Sequence, residues 1–154
     1  MSVSMKLKDL LDKNKVKYTS MAHQRVITAQ EVAQAEHIPG RELAKTVVVR
    51  KGKEFFLFVL PAPKQVDFSQ LRKLFNSHDI GLATEAEFKG LFPDSELGAM
   101  PPFGILYGIK TYVDELLKKE KEIAFNAGTH TDTILMQRED FEKIVKPEYV
   151  SFAA

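Results

Sequence analysis

Lys45 stands directly before a run of β-branched, apolar residues at positions 46–49. A lysine at the mouth of a buried strand places its ammonium beside a low-dielectric wall, where it could hold a phosphate or polarise a carbonyl. A lysine that lays its stem along an apolar surface and keeps its charge in water would give the same pattern. Lys45 is therefore a candidate catalytic residue, and Thr46 beside it a candidate substrate contact.

The segment 97–104 has the composition of a stiff loop with little side-chain bulk, because Gly98 and Gly104 bracket Pro101 and Pro102. Such a loop suits a pocket wall where a small ligand approaches the backbone closely. We therefore take Gly98, Pro101, Pro102 and the intervening Met100 as candidate substrate-binding residues. An ordinary rigid connector would have the same composition.

The segment 125–132 follows a predicted strand and places Gly128 two residues before His130. A glycine between small polar residues can turn backbone N–H groups toward a developing oxyanion. His130 could orient a water, bind substrate or cap the turn. Gly128 and His130 are our other two candidate catalytic residues, and all three segments lie at strand ends, where functional sites collect.

Other kinds of site find little support. The sequence has no Walker A loop, no dinucleotide-binding glycine motif, no nucleophile elbow and no HExxH motif. It has no cysteine, and its four histidines lack metal-ligand spacing. His130 and Asp132 would supply only two ligands. We therefore expect no metal and no cofactor.

Helices and strands should alternate along the chain. Helical spacing of leucines predicts a first helix that ends near Asn14, and residues 68–75 predict a helix with Leu71, Leu74 and Phe75 facing inward. Thr28 with Glu31, and Thr84 with Glu87, form sequence patterns typical of capping boxes that begin helices. A last helix is predicted over residues 139–145, before Pro147.

Two apolar runs, residues 46–50 and 54–60, predict a buried hairpin with a turn at Gly52. Shorter strands are predicted at residues 105–107, 111–113, 122–125 and 133–136. These elements together predict a mixed α/β fold with a curled or barrel-like, largely antiparallel sheet flanked by helices.

The chain of 154 residues has the length of one ordinary domain, so we expect a single domain over residues 1–154. No apolar run resembles a signal peptide or is long enough to span a bilayer, which predicts a cytoplasmic protein without membrane contact. Residues 1–53 carry eleven Lys and Arg against five Asp and Glu, whereas the remainder is acidic. A basic region of this kind could steer a polyanion, or be a solvated surface without a partner.

The order and spacing of several motifs resemble the YbaK/prolyl-tRNA synthetase-associated domain family. These are TAQEV at residues 28–32, AKTVV at 44–48, GAMPPFG at 98–104, YVD at 112–114 and AGTH at 127–130. The similarity runs from about residue 16 to residue 147. It is strongest to free-standing members that carry stretches like ATE at 83–85 and LFPD at 91–94.

The resemblance implies a mixed α/β fold and hydrolysis of aminoacyl-tRNA by a free-standing, trans-editing deacylase. The characteristic lysine of the family corresponds to Lys45, its glycine-proline pocket loop to residues 98–102, and its glycine-histidine turn to Gly128 and His130. Some alanine-specific members have Asn directly after the lysine, whereas this chain has Thr46. The resemblance therefore does not imply alanine specificity.

We accordingly expect the substrate to be a mischarged tRNA that carries a small amino acid, bound by its acceptor end. Lys45 would grip the terminal phosphate or the ester carbonyl, and amides around Gly128 would stabilise the oxyanion. An aminoacyl-tRNA synthetase is a further expected partner. The alternative is a non-catalytic module that binds a tRNA end, a nucleotide or a synthetase through the same pocket.

Overall fold

A computed structural model describes residues 4–22 and 38–154. Helix α1 spans Met5–Lys13, with Ser4 as its N-cap and Asn14 as its C-cap, and it buries Leu7 and Leu11. A three-stranded sheet follows the order β1-β7-β6, in which all neighbours are antiparallel. Its strands are β1 (Tyr18–Ala22), β6 (Glu122–Asn126) and β7 (Asp132–Gln137).

A five-stranded sheet follows the order β4-β2-β3-β5-β8. Its strands are β2 (Ala44–Lys51), β3 (Glu54–Pro61), β4 (Ile80–Leu82), β5 (Thr111–Asp114) and β8 (Glu148–Val150). The β2–β3 and β2–β4 pairs are antiparallel, whereas β3–β5 and β5–β8 are parallel. The mixed α/β class is thus confirmed. The predicted sheet is divided in two, and neither part closes into a barrel within the described residues.

Most of the predicted elements are confirmed. The β2–β3 hairpin turns at Gly52, whose φ of +60° lies in the left-handed region that favours glycine. Helix α2 spans Phe68–Phe75 and the one-turn helix α3 spans Glu85–Phe88, which begins with the predicted capping box of Thr84 and Glu87. Helix α4 spans Arg138–Val145. The predicted capping box at Thr28 lies outside the described residues.

Two predictions are wrong. Residues 105–107 form no strand, because the Gly104 carbonyl accepts hydrogen bonds from the amides of Tyr107 and Ile109 and closes a 3₁₀ turn over Gly104–Leu106. Leu74 does not face inward: its side chain is exposed, whereas Leu71 on the same helix is fully buried. The strands β1, β4 and β8 were not predicted. β4 and β8 have only three residues each, too few to show an alternating pattern, and β1 is largely exposed and has no apolar run.

The two sheets meet where β2 begins. Leu43 forms a parallel bridge with Ala124, and the amide of Ala124 donates a hydrogen bond to the Glu42 carbonyl at 2.9 Å. In parallel strands, residues at equal distances beyond such a bridge lie side by side. The bridge therefore brings Lys45 in β2 next to Asn126 at the end of β6.

Candidate active site

A small pocket opens at this junction of the two sheets, with a volume of about 150 Å³. It combines residues from the start of β2, from the loop before the 3₁₀ turn and from the end of β6. The lining residues are Ala44, Lys45, Thr46, Gly98, Met100 and Asn126. Four of the candidate site residues, Lys45, Thr46, Gly98 and Met100, are thus brought together.

Lys45 is half-buried in the wall of this pocket. Its backbone is held in the β2–β3 ladder opposite Leu60, so only the side chain is free to reach into the pocket. Burial lowers the pKa of the Lys45 ammonium from its ordinary value, because the charged form loses hydration. Within residues 4–22 and 38–154 the ammonium forms no ion pair, so its charge is available to an anionic ligand.

The Gly98 backbone forms the mouth of the pocket with a φ of +85°, a conformation that other residues rarely adopt. Its N–H donates to the thioether sulfur of Met100 at 3.2 Å. A thioether is a weak acceptor. The Gly98 N–H is therefore a backbone donor that a stronger acceptor could recruit.

Hydrogen bonds join this loop to the turn after β6. The Glu96 amide donates to the Gly128 carbonyl at 2.7 Å, and the Gly128 amide donates to the Ala99 carbonyl at 3.0 Å. From the turn, the His130 amide donates to Glu96 Oε1 at 3.0 Å, and His130 Nε2 lies 2.9 Å from the Leu97 carbonyl. Loop and turn therefore form one hydrogen-bonded unit.

These bonds change the roles that the sequence suggested for Gly128 and His130. Neither residue lines the pocket. The Gly128 N–H is already donated to Ala99, so it has no hydrogen to give to a substrate oxyanion. The His130 ring is buried, and Nε2 must carry the hydrogen that bonds the Leu97 carbonyl. The contacts of both residues fit a role in positioning Gly98.

Pro101 and Pro102 are buried behind the pocket rather than in its lining. Asn126 is the polar lining residue that the sequence reasoning missed, and Ala44 is the other lining residue that was not a candidate. A polar residue at the end of the apolar strand 122–125, just before the glycine-histidine turn, was the available signal. Its position beside Lys45 depends on the bridge between the two sheets, which no sequence pattern indicates.

A partly buried polar cluster of Ser4, Asp94 and Tyr107 lies beside the loop and the turn. The hydroxyl of Ser4, at the start of α1, donates to one oxygen of Asp94, and the Tyr107 hydroxyl donates to the other at 2.8 Å. Burial raises the pKa of Tyr107 well above its usual value, so this hydroxyl keeps its proton and remains a donor. A Cβ on Gly128 would stand 3.2 Å from Ser4 Cβ, so α1 packs directly against the turn.

Residues 4–22 and 38–154 contain neither a metal site nor a membrane-spanning helix. These residues contain no group of three His, Cys, Asp or Glu side chains placed to hold a metal ion. Asp132 instead accepts a hydrogen bond from the Thr129 hydroxyl at 2.5 Å. No helix in the same ranges has the length and apolar character needed to cross a membrane. His23 and His37 lie outside the described residues.

The family model described as the aminoacyl-tRNA editing domain matches residues 23–144, most of the chain, and this match includes every lining residue of the pocket. The chain belongs to the aminoacyl-tRNA editing domain family. It is therefore a hydrolase of the aminoacyl-tRNA deacylase class, and the pocket at Lys45 is the candidate active site of this editing domain.

Individual relatives agree with this assignment. The editing domain is 34% identical over 139 residues to the multifunctional Ser/Thr-tRNA deacylase ProXp-y of Escherichia coli (strain K12), covering 83% of each chain. It is 26% identical over 150 residues to the prolyl-tRNA editing protein ProX of Acetoanaerobium sticklandii, covering 94% of this chain and 91% of the relative. The crystal structure of hypothetical protein APE2540 shares the fold, with a TM-score of 0.85 and 17% identity over 97% of this chain and 99% of that one.

Proposed function

We propose that this editing domain, acting in trans, hydrolyses the ester of mischarged tRNAs that carry a small amino acid. The observation that supports this most is the pocket itself, which has a volume of about 150 Å³ and is lined by a lysine that forms no ion pair with any other described residue. Sites for drug-sized ligands usually have about 300–1,000 Å³. A pocket of this size admits an acyl group of a few heavy atoms and rejects a large side chain by sterics.

The aminoacyl ester is already activated, so hydrolysis needs little beyond positioning and stabilisation of the oxyanion. In the proposed mechanism the Lys45 ammonium and the Gly98 N–H face the ester carbonyl oxygen. A water, deprotonated with help from the vicinal ribose hydroxyl, adds to the carbonyl carbon. The bond to the ribose oxygen then breaks, and that oxygen takes a proton as the free amino acid leaves. In this mechanism the Gly98 N–H stabilises the oxyanion, whereas the sequence suggested the amides around Gly128 for this role.

The polar atoms in the pocket support a substrate with a short, hydroxyl-bearing side chain. The Thr46 hydroxyl and the Asn126 amide could each bond such a hydroxyl, and Met100 limits the length of the side chain. Since one methylene changes binding by only about 1–3 kcal/mol, we expect several small residues to be accepted. The E. coli relative is named for Ser and Thr, so we propose seryl-, threonyl- and alanyl-tRNA as the substrates.

A second pocket of about 240 Å³ adjoins the first and shares Thr46, Gly98 and Met100 with it. Its other lining residues are Val47, Val48, Leu82, Ala83, Glu85 and Phe88. Apolar walls suit the face of a nucleobase, and Leu82 is exposed at the rim. We propose that the terminal adenosine lies here while its aminoacyl group enters the smaller pocket.

The discriminating experiment is a deacylation screen over seryl-, threonyl-, alanyl-, prolyl- and phenylalanyl-tRNA. We expect multiple turnovers with the first three and none with phenylalanyl-tRNA, because its side chain exceeds the pocket. Release of amino acid in excess of enzyme establishes catalysis. Saturable binding of all five tRNAs without release would instead support a non-catalytic binding module.

Replacing His130 with alanine should lower kcat/KM about 10- to 100-fold. The Leu97 carbonyl then loses its hydrogen bond from the His130 ring, and the neighbouring Gly98 shifts within the pocket wall. The free energy of unfolding should fall by about 2–3 kcal/mol, since a buried ring and a buried hydrogen bond are lost. Steady-state deacylation and thermal melting measure the two effects.

Two further variants separate positioning from direct catalysis. His130→Gln keeps an N–H donor that can reach the Leu97 carbonyl, so it should recover most of the activity. His78→Ala removes an exposed histidine and should change neither quantity. Full loss of activity in His130→Gln, at an unchanged melting temperature, would show that the imidazole itself takes part in the reaction.

A further inference from the structure

The side-chain amide oxygen of Asn126 accepts no hydrogen bond from any other described residue. Oδ1 is shielded from solvent, although the side chain lines the pocket beside Lys45. Buried polar atoms in proteins are nearly always paired, and an exception calls for an explanation. A donor supplied by the substrate would complete this site.

The backbone fixes where the Asn126 amide can turn. Asn126 is the last residue of β6 and is held in register opposite Thr133 of β7. The bridge between Leu43 and Ala124 places it next to Lys45. Because rotation about the terminal torsion of an asparagine is broad, the oxygen can face the pocket without movement of the strand.

The charge in the pocket indicates which donor is needed. Every aminoacyl ester brings a positive α-ammonium, and the pocket wall already holds the positive Lys45. No carboxylate stands among the described residues that line this pocket. A neutral acceptor can bind the α-ammonium without forming an ion pair with the lysine, which leaves the Lys45 charge available for the carbonyl oxygen.

We propose that Asn126 Oδ1 accepts a hydrogen bond from the α-ammonium of the aminoacyl group, so that Asn126 selects aminoacyl esters over other acyl esters of tRNA. This inference rests on the proposed function and adds to it the chemical group that the pocket recognises. Asn126 orients the ester by its amino group, and Lys45 acts on its carbonyl.

The test compares esters with and without the ammonium. Alanyl-tRNA is paired with propionyl-tRNA, and seryl-tRNA with 3-hydroxypropionyl-tRNA, so that each pair differs only in the amino group. Each kcat/KM is divided by the uncatalysed hydrolysis rate of the same ester, because the ammonium itself activates the neighbouring carbonyl. After this correction the parent protein should prefer the aminoacyl member of each pair by about tenfold or more, as expected for a hydrogen bond to a charged group. In Asn126→Leu, which has a similar volume and no acceptor, both ratios should fall to within about twofold of one.

Asn126→Asp is the matched variant, because it retains an acceptor oxygen and should keep both ratios above about tenfold even if Lys45 becomes partly neutralised. Ratios measured on one preparation do not depend on the folded fraction, so a destabilised variant still gives a result. Ratios unchanged in Asn126→Leu would overturn the inference. A loss confined to the preference for seryl over alanyl ester would overturn it too, in favour of a contact with the side-chain hydroxyl.

The outcome also separates this inference from the function on which it rests. The parent protein could hydrolyse alanyl- or seryl-tRNA with no preference over the deamino esters. That result would contradict the role of Asn126 and leave the proposed function intact. If the parent protein hydrolysed none of the four esters, the result would contradict the proposed function and therefore the inference as well.

Discussion

Lys45→Ala is expected to lower kcat/KM for the best substrate of the screen by about 100- to 1,000-fold, the usual cost of removing one preorganised donor to an oxyanion. The ammonium is half-buried, unpaired among the described residues and part of the pocket wall. Its removal leaves no ion-pair partner stranded among the described residues, so the melting temperature should not fall. Steady-state deacylation and thermal melting of the variant measure the two expectations.

Lys53→Ala is the matched control, because it removes the same charge from an exposed position in the turn of the same hairpin. It should change kcat/KM by less than about twofold. If general attraction for tRNA were the role of Lys45, both variants would lose similar activity and mainly through KM. Hydrolysis of the whole tRNA panel by Lys45→Ala at the parental rate would contradict the proposed mechanism.

The pH profile gives a second readout of the same lysine. The charged form is the active one, and burial lowers its pKa. As pH rises, activity above the uncatalysed rate should therefore be lost below the pH at which an ordinary lysine, with a pKa of 10.5, would lose its proton. The residual activity of Lys45→Ala should lack this alkaline limb.

The sequence could indicate four residues of the candidate pocket because two constrained segments each contain residues that line it. Lys45 and Thr46 lie at the start of a strongly apolar strand, and Gly98 and Met100 lie in a glycine-proline loop. Each pattern indicates a local conformation. That the segments form one pocket depends on the bridge between Leu43 and Ala124, a long-range contact without a local signature.

The sequence could not show which hydrogen bonds Gly128 and His130 form. A glycine before a histidine correctly indicated a turn whose amides need partners. Which acceptors those amides use is a tertiary property, and here the Ala99 carbonyl and the Glu96 carboxylate accept them. The division into two sheets escaped prediction for a similar reason, since β1 pairs with β7 in one sheet and β3 pairs with β5 in the other, and both pairings join distant parts of the chain.

Gly98→Ala is expected to lower kcat/KM about 100-fold while the protein still folds. An alanine at a φ of +85° costs about 1–2 kcal/mol of backbone strain. Its Cβ would also stand 3.3 Å from His130 Cε1, and the ring cannot retreat freely because Nε2 is bonded to the Leu97 carbonyl. The loop must therefore move, and a displacement of about 1 Å at a reacting site can cost 100-fold in rate.

Gly90→Ala provides the control, since Gly90 has a similar φ of +93° and no atom within 4 Å of its added Cβ. Both variants bear a similar backbone strain, and Gly98→Ala adds the close contact with His130, so it should lose more free energy of unfolding than Gly90→Ala. Only Gly98→Ala disturbs the pocket wall and its N–H donor, so only that variant should lose activity. Equal losses of activity in the two variants would mean that the loop conformation at Gly98 does not hold the ester, and the oxyanion donor would have to be sought elsewhere in the pocket.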